Sequence, residues 1–301
     1  MRFHNLDLNL LVCLDALLDE KSVSRAAKRV FLSQSAMSDA LARMRGYFGD
    51  ELLVQVGKAM VPTPLAKSLV QPVRDVLIQI RAIASTSVKF DPAKSNRRIS
   101  VMASDYVVSV LLRKVVARMW EQAPRMQVEF MALTSEFQDK FDHGELELLI
   151  MPEGYASEDH PSEPLYEERY TCVVWTKNPH VGKKISLEHY LEMGHVCVNL
   201  GEWRVPTYES WFLKRYGAAR RVEVVVPTFE TALELVSGTH RIATVHRRHA
   251  QMYAKQYSLR MVEPPFEIPP LKERMQWHKH LERDPALIWF RGLVKSIASR
   301  I

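Results

Sequence analysis

Residues 21–48 read KSVSRAAKRVFLSQSAMSDALARMRGYF, and this stretch decides how the rest of the chain is understood. Its apolar residues keep helical spacing in two short runs separated by a turn. Ser22 or Ser24 is placed to cap the first run and Ser33 the second, each by accepting from free N–H groups of a first helical turn. The first helix would bury Val23, Ala26, Ala27 and Val30, its alanines allowing a second helix to cross closely. The second would bury Met37, Ala40, Leu41, Met44 and Phe48 at helical intervals. Gln34, Ser35, Ser38, Asp39, Ala42, Arg43 and Arg45 are then left on the outer face. Amide and hydroxyl groups near a helix start can reach base edges, and arginines one and two turns later can reach phosphates. That is the physics of a helix-turn-helix whose second helix enters the major groove. The bland alternative is an ordinary amphipathic helix pair with a solvated face.

The flanking sequence sharpens the reading. Residues 6–19 carry Leu10, Leu14, Leu17 and Leu18 on one face and should cover the pair from behind, with Cys13 in that core. After Gly49 the period shortens: LLVQVGKAMVPT (52–63) predicts two short strands joined at Gly57 and Lys58, a wing that would carry Lys58 to a phosphate or the minor groove. Arg25 completes the basic set on the predicted DNA side. Thr63 and Pro64 form a cap and first helical residue. Leu69, Val73, Val76, Ile80 and Ile83 then follow at spacings of four and three, an a/d seam whose economical partner is a second copy of the chain. Pro72 inside this helix removes one hydrogen bond and predicts a kink, not a break. STSVKFDPAKSN (85–96) reads as a linker.

The register LDLNLLVCLDALLDEKSVSRAAKRVFLSQSAMSDALARMRGYFGDELLVQVGKAMVPTPLA (6–66) resembles the N-terminal domain of LysR-type transcriptional regulators. The residues that carry the resemblance include Ala26, Ala27, Leu32, Ser33, Gln34, Ser35, Ser38, Leu41, Leu53, Pro62, Thr63 and Pro64. Such a match in register is far more specific than a bare helix-turn-helix pattern. RFHNLDLNLLVCLDAL (2–17) and HRIATVHRRHA (240–250) are most similar to the nodulation and naphthalene/salicylate regulators within that family. The resemblance implies operator DNA, RNA polymerase and further copies of the chain as partners. It also implies a homotetramer built as a dimer of dimers, and activation by a small aromatic inducer with no other cofactor.

Composition agrees. The chain has 301 residues and a formal charge of +6; residues 1–90 hold twelve Lys/Arg against eight Asp/Glu, so most of the excess lies in the smaller N-terminal part, as a polyanionic partner there requires. Three widely spaced cysteines, Cys13, Cys172 and Cys197, point to reduced thiols rather than a disulfide framework. With neither a signal peptide nor an apolar run long enough to span a bilayer, a cytoplasmic protein without membrane contact is expected.

From Arg98 onward strand and helix alternate. Strands are predicted over 99–103, 128–132, 146–151, 171–175, 195–198, 222–226, 242–245, 259–262 and 275–278. Helices are predicted over 106–122, 136–142, 187–191, 207–216, 229–236, 249–256 and 285–301, with Gly144 and Gly238 as helix ends. This alternation predicts parallel sheets covered on both faces. Two proline-rich stretches, HPSEPLYEE (160–168) and EPPFEIPP (263–270), bracket an insertion and read as crossings between two lobes. The expected architecture is therefore α+β and multidomain: a winged helix-turn-helix (1–63), a long linker helix (64–90) and a two-lobed α/β effector domain (91–301). The resemblance implies that this last part is periplasmic-binding-protein-like, with one lobe near 97–165 and 266–301 and the other near 168–263. GELELLIMPE (144–153) resembles the end of the first lobe, with Glu147 where the family more often has Asp.

In open α/β sheets ligands lie beyond the C-terminal strand ends, at helix starts. This selects Ser104, Asp105, Tyr106 and Thr134 in one lobe and Asn199, Gly201, Thr228, Phe229, His246 and Arg248 in the other, a set suited to a small, flat, partly polar molecule. Capping serines and threonines occur at every helix start, so each also has a purely structural reading. Asp105 would repel an anionic inducer unless Arg248, which can offset such an inducer or pair with Asp105 in the empty pocket, or a helix N-terminus compensates. Two rival readings stand beside this one. Cys172 and Cys197 could form a redox sensor, although cysteine in a predicted strand is normally a small buried hydrophobe. His246 with His249, and His278 with His280, could ligate a metal in an α/β enzyme. No third ligand at a suitable spacing and no nucleophile motif accompanies them, so they read as surface or cap residues and no metal or catalytic site is expected.

Overall fold

The computed structural model describes residues 2–3, 6–57, 59–85, 90–131, 137–200, 208–217 and 220–301. The chain forms two compact units, residues 1–86 with 142–144 and residues 87–141 with 145–301.

In the first unit β1 (Arg2–Phe3) pairs antiparallel with β2 (Leu6–Asp7). The Asp7 carboxylate accepts from the Asn9 N–H at 3.1 Å, so α1 (Asn9–Glu20) starts three residues later than its leucine pattern suggests. Ser22 is the cap of α2 (Val23–Arg29), and Ser33 accepts from Ala36 N–H at 3.1 Å to cap α3 (Gln34–Phe48). The expected face of α3 is inside: Met37, Ala40, Leu41 and Met44 join Ala26, Ala27 and the α1 leucines in one core, with Val23, Val30 and Phe48 partly buried around it. Gly49, at φ 64°, ends α3. The wing is β3 (Leu53–Val56) and β4 (Ala59–Pro62), antiparallel and turned at Gly57 with φ 62°. Asp50 anchors its base, accepting from Leu52 N–H and the Thr63 hydroxyl, each at 2.6 Å.

Thr63 caps α4 (Pro64–Ser85), accepting from Ala66 N–H at 3.1 Å, and the helix runs unbroken through Pro72. Its faces correct the expected seam. Val73 is buried in the helix-turn-helix core and Leu69 packs against it, together with Ala66, Val70 and Leu77. Val76, Ile80 and Ile83 remain exposed, as does Leu65. The physical reason is that α4 packs on α1, so its first half does have a core to enter within its own chain. Ion pairs fix that packing: Arg74 of α4 binds Asp15 and Asp19 of α1, and Arg29 of α2 binds Asp19 at 2.6 Å.

Among the described residues the second unit holds two five-stranded sheets. Lobe 1 contains β5 (Arg98–Met102), β6 (Gln127–Met131), β7 (Leu148–Pro152) and β8 (Ser162–Glu168). Lobe 2 contains β9 (Tyr170–Trp175), β10 (Gly194–Val198), β11 (Arg221–Val226), β12 (Ile242–His246) and β13 (Leu259–Val262), after which β14 (Leu271–Trp277) returns to lobe 1. The orders are β6-β5-β7-β14-β8 and β11-β10-β12-β9-β13. The two proline-rich stretches are thus the crossings, though the first is largely the strand β8. Pro164 is tolerated there because β8 is an edge strand.

The sheets are mixed and not parallel. β5 is parallel to β6 and β7, and β10 to β11 and β12, but β14 and β9 run antiparallel to both of their neighbours. Those two strands follow the crossings, so their direction is set by arrival from the other lobe and not by a βαβ unit. Helices α5 (Asp105–Val107) and α6 (Arg113–Gln122) are joined through a π-helical segment, Val108–Leu112, that replaces the expected single α-helix. The others are α7 (Phe137–Asp142), α8 (Leu187–Glu192), α9 (Tyr208–Tyr216), α10 (Phe229–Val236), α11 (Arg247–Tyr253) and α12 (Pro285–Ala298). The expected ends at Ala132, Glu136 and Thr207 lie outside the described residues. Glu147 is buried in lobe 1, paired with Arg97 and accepting from Ser100 N–H at 3.2 Å. Among the described residues no helix is long and apolar enough to cross a membrane.

Candidate nucleic-acid interface and effector site

Once α3 has turned its methionines and leucine inward, Gln34, Ser35, Ser38, Asp39 and Arg43 form one exposed polar face. The Ser33 hydroxyl, besides capping, lies 3.0 Å from that of Ser35. Arg25 and Arg43 reach solvent: Arg25 pairs with the Glu20 carboxylate and also donates to the Glu20 carbonyl, and Arg43 pairs with Asp7, each ion pair at 3.0 Å. The Arg43 guanidinium keeps the Asp7 carboxyl below its usual range. Exposed pairs of this kind contribute little and can be exchanged for phosphate.

Arg45 does not belong to that set. Its guanidinium donates to the carbonyls of Glu51 and Leu53, both at 2.8 Å, and pairs with the Glu51 carboxylate at 3.1 Å. It braces the wing against α3, because its position in the last helical turn faces the chain's own return. Lys58 lies outside the described residues.

In the second unit the strand ends of the two lobes meet. Ser104 caps α5 by accepting from Val107 N–H at 3.3 Å, and Thr228 caps α10 by accepting from Thr231 N–H at 3.3 Å. Asp105 links the lobes: its carboxylate accepts from Glu230 N–H at 3.0 Å, at the N-terminus of α10. Burial raises the Asp105 pKa, opposed by those backbone donors. The helix start, and not Arg248, therefore compensates Asp105. Arg248 instead binds Glu168 at 3.1 Å and donates to the Glu167 carbonyl at 2.7 Å.

Tyr106, Phe229 and His246 are buried and fill the junction with stacked and edge-on rings. Tyr106 lies 3.9 Å from His246 between ring centroids, and Phe229 4.4 Å from His246. They are packed wall and not free ligand contacts. Asn199 is exposed, its N–H donating to the Val226 carbonyl at 2.9 Å; Thr134 and Gly201 lie outside the described residues.

Three junction residues escaped the sequence reading. Glu168, at the end of β8, accepts from the Tyr106 hydroxyl at 2.7 Å as well as from Arg248. Tyr166 lies under the Arg248 guanidinium, 5.6 Å from the ring centroid. Glu273 is buried on the neighbouring strand, where burial and the Glu168 charge push its pKa up to about 8. A carboxylate inside a proline-rich stretch looks solvated in sequence, and only the pairing of β8 with β14 shows otherwise. Among the described residues a polar cleft of about 790 Å3 opens along the crossings, with Glu168, Arg169, Tyr170, Arg248 and Phe266 in its walls.

Of the two histidine pairs, the first is not at the surface and the second supplies the cap of a short 3-10 turn, at His278. His246 and His249 are buried, and desolvation lowers their pKa to about 3 and about 4. His278 is also buried and accepts from His280 N–H at 3.3 Å. Cys172 and Cys197 are buried free thiols whose pKa burial pushes up to about 12, which leaves almost no thiolate for redox chemistry.

A winged helix-turn-helix with an exposed polar recognition face, followed by a long helix and a two-lobed α/β unit, defines a DNA-binding transcriptional regulator. Comparison with known proteins agrees. The family described as "Bacterial regulatory helix-turn-helix protein, lysR family" matches residues 8–67, and "LysR substrate binding domain" matches residues 92–298. The chain is 43% identical over 299 residues to nodulation protein D 2 of Rhizobium tropici, covering 99% of this chain and 95% of that protein. Among solved structures it is similar to the "probable transcriptional regulator PA0477 from Pseudomonas aeruginosa", at 29% identity and a TM-score of 0.65 over 98% of each chain. Full-length OxyR of Pseudomonas aeruginosa shares the fold at 18% identity and a TM-score of 0.70, over 97% of this chain and 95% of that one. The chain belongs to the LysR family of transcriptional regulators, which are not enzymes.

Proposed function

We propose that the chain is an inducer-responsive activator of a catabolic operon for aromatic compounds. In this reading it works in the cytoplasm as a dimer of dimers, contacts RNA polymerase, and needs no cofactor beyond its inducer. The observation that carries the responsive part is the Asp105–Glu230 hydrogen bond, which brings the Ser104 and Thr228 helix starts of opposite lobes together. A ligand entering there exchanges an interlobe contact for its own, which is the differential affinity a switch needs. Exposed Val76, Ile80 and Ile83 support self-association through α4. The resemblance to the nodulation regulators supports activation and an aromatic inducer.

With Arg248 already bound to Glu168, and Asp105 and Glu168 both at the junction, a neutral phenol or quinol fits better than an aromatic carboxylate. A thermal-shift screen of the full chain against aromatic acids, phenols and quinols tests this. The hit should drive transcription in the wild type, while Ser104→Ala and Thr228→Val abolish the response and keep operator binding. Arg248→Ala should have only a mild effect. Unchanged induction in all three variants would place the ligand elsewhere, and a hit confined to carboxylates would reverse the ligand class.

A further inference from the structure

The turn between α2 and α3 is closed in an unusual way. Leu32 N–H donates to the Ala27 carbonyl at 2.9 Å and Phe31 N–H to the Lys28 carbonyl at 3.3 Å, the paired bonds of a Schellman ending. The residue after the cap in that motif sits in the left-handed region and is usually Gly, sometimes Asn. Here it is Phe31, at φ 58°. A bulky side chain in that region is a true outlier and carries a conformational cost.

Among the described residues no side-chain packing offsets that cost, because Phe31 is 96% exposed, the most open of their large apolar side chains. Leu32 beside it is also exposed, at 42%. Two residues further on, Ser33 caps the recognition helix and opens the polar face of Gln34, Ser35 and Ser38. A strained backbone thus presents a phenyl ring to solvent at the edge of the DNA-reading surface.

We infer that Phe31 is an apolar contact to operator DNA, packing its ring on a thymine methyl or a deoxyribose face beside the first bases read by α3. The occupant is DNA because the ring is continuous with the recognition face of a DNA-binding family. Thymine is the base that offers an apolar group in the major groove, and aromatic side chains are among those that contact it.

The test uses the full chain and a duplex selected from a random library by the wild-type protein, with an unrelated duplex of equal length as control. Phe31→Ala and Phe31→Asn should each weaken binding to the selected duplex by about 5- to 30-fold, the lower part of the range for one base-level contact. The salt dependence should not change, since no phosphate contact is lost. Asn is at home in the left-handed region, so Phe31→Asn should also raise the thermal midpoint, which separates a lost contact from a lost fold. Replacing the selected duplex's thymines by deoxyuridine one at a time distinguishes the two surfaces. One replacement that weakens the wild type but not the variants identifies a methyl contact. A loss on both duplexes that is insensitive to deoxyuridine identifies a sugar contact. Unchanged affinity of both variants for both duplexes would overturn the inference and send Phe31 to a protein partner.

Discussion

Arg45→Ala should loosen the wing while leaving the electrostatics of DNA binding alone. The side chain makes two hydrogen bonds to carbonyls at 2.8 Å and an ion pair with Glu51 at 3.1 Å. A bond from a charged donor to a buried carbonyl contributes roughly 1.5–3 kcal/mol. Arg45 is about a third exposed, with Glu51 well exposed, so screening cuts each bond to about 1 kcal/mol and leaves the ion pair worth little. The sum is about 2 kcal/mol, which corresponds to a roughly thirtyfold larger population of the locally opened wing. Native-state hydrogen exchange at the amides of β3 and β4 in the full chain measures that opening directly. Titration with duplex DNA over a range of salt gives the charge contribution, which should keep its slope. Unchanged exchange together with a slope smaller by about one unit would refute the argument. It would show Arg45 leaving its carbonyls for a phosphate.

Arg43→Ala is expected to do the reverse, lowering the salt slope by about one and weakening all sequences alike, because only an exposed pair with Asp7 holds that side chain back. Gln34→Ala should relax preference at one operator position by roughly 1–3 kcal/mol if the contact is bidentate, read by competition between single-base variants. On α4, Val76→Asp or Ile80→Asp should abolish dimerisation in sedimentation with the N-terminal unit still folded. Val73→Asp should unfold that unit, since Val73 lies in its core.

Stability should also depend on pH through Glu273. Its folded pKa, about 8, stands above the model-peptide carboxyl, so the folded state holds the proton longer. That stabilisation is full below the unfolded pKa and is lost as pH rises through about 8. The slope is at most about 1.4 kcal/mol per pH unit, and denaturant titrations between pH 6.5 and 8.5 should show it in the wild type and not in Glu273→Gln. The buried His246 and His249, with depressed folded values of about 3 and about 4, act in the opposite sense. Their contribution is present above the unfolded value near 6.5 and falls away in acid. The optimum should therefore lie near pH 6.5.

The sequence by itself determined whatever depends on local periodicity and capping. Ser22, Ser33 and Thr63 cap where their neighbours' spacing placed them, and Met37, Ala40, Leu41 and Met44 are buried as a helical face must be. The nine strands read from alternation exist within a few residues, since burying one or both faces of a strand leaves a pattern in one dimension. Tertiary structure decided what depends on which segment arrives opposite another. Leu69 and Val73 have seam spacing, but α1 lies against them. Arg45 has the spacing of a phosphate contact, yet the carbonyls of Glu51 and Leu53 lie within its reach. Arg248 meets Glu168 and not Asp105 because the chain crosses between lobes at Glu168. The strand β8 was hidden by its prolines, and with it the buried carboxyls of Glu168 and Glu273. Edge position and non-local pairing set their environment, and neither has a signature in the order of residues along the chain.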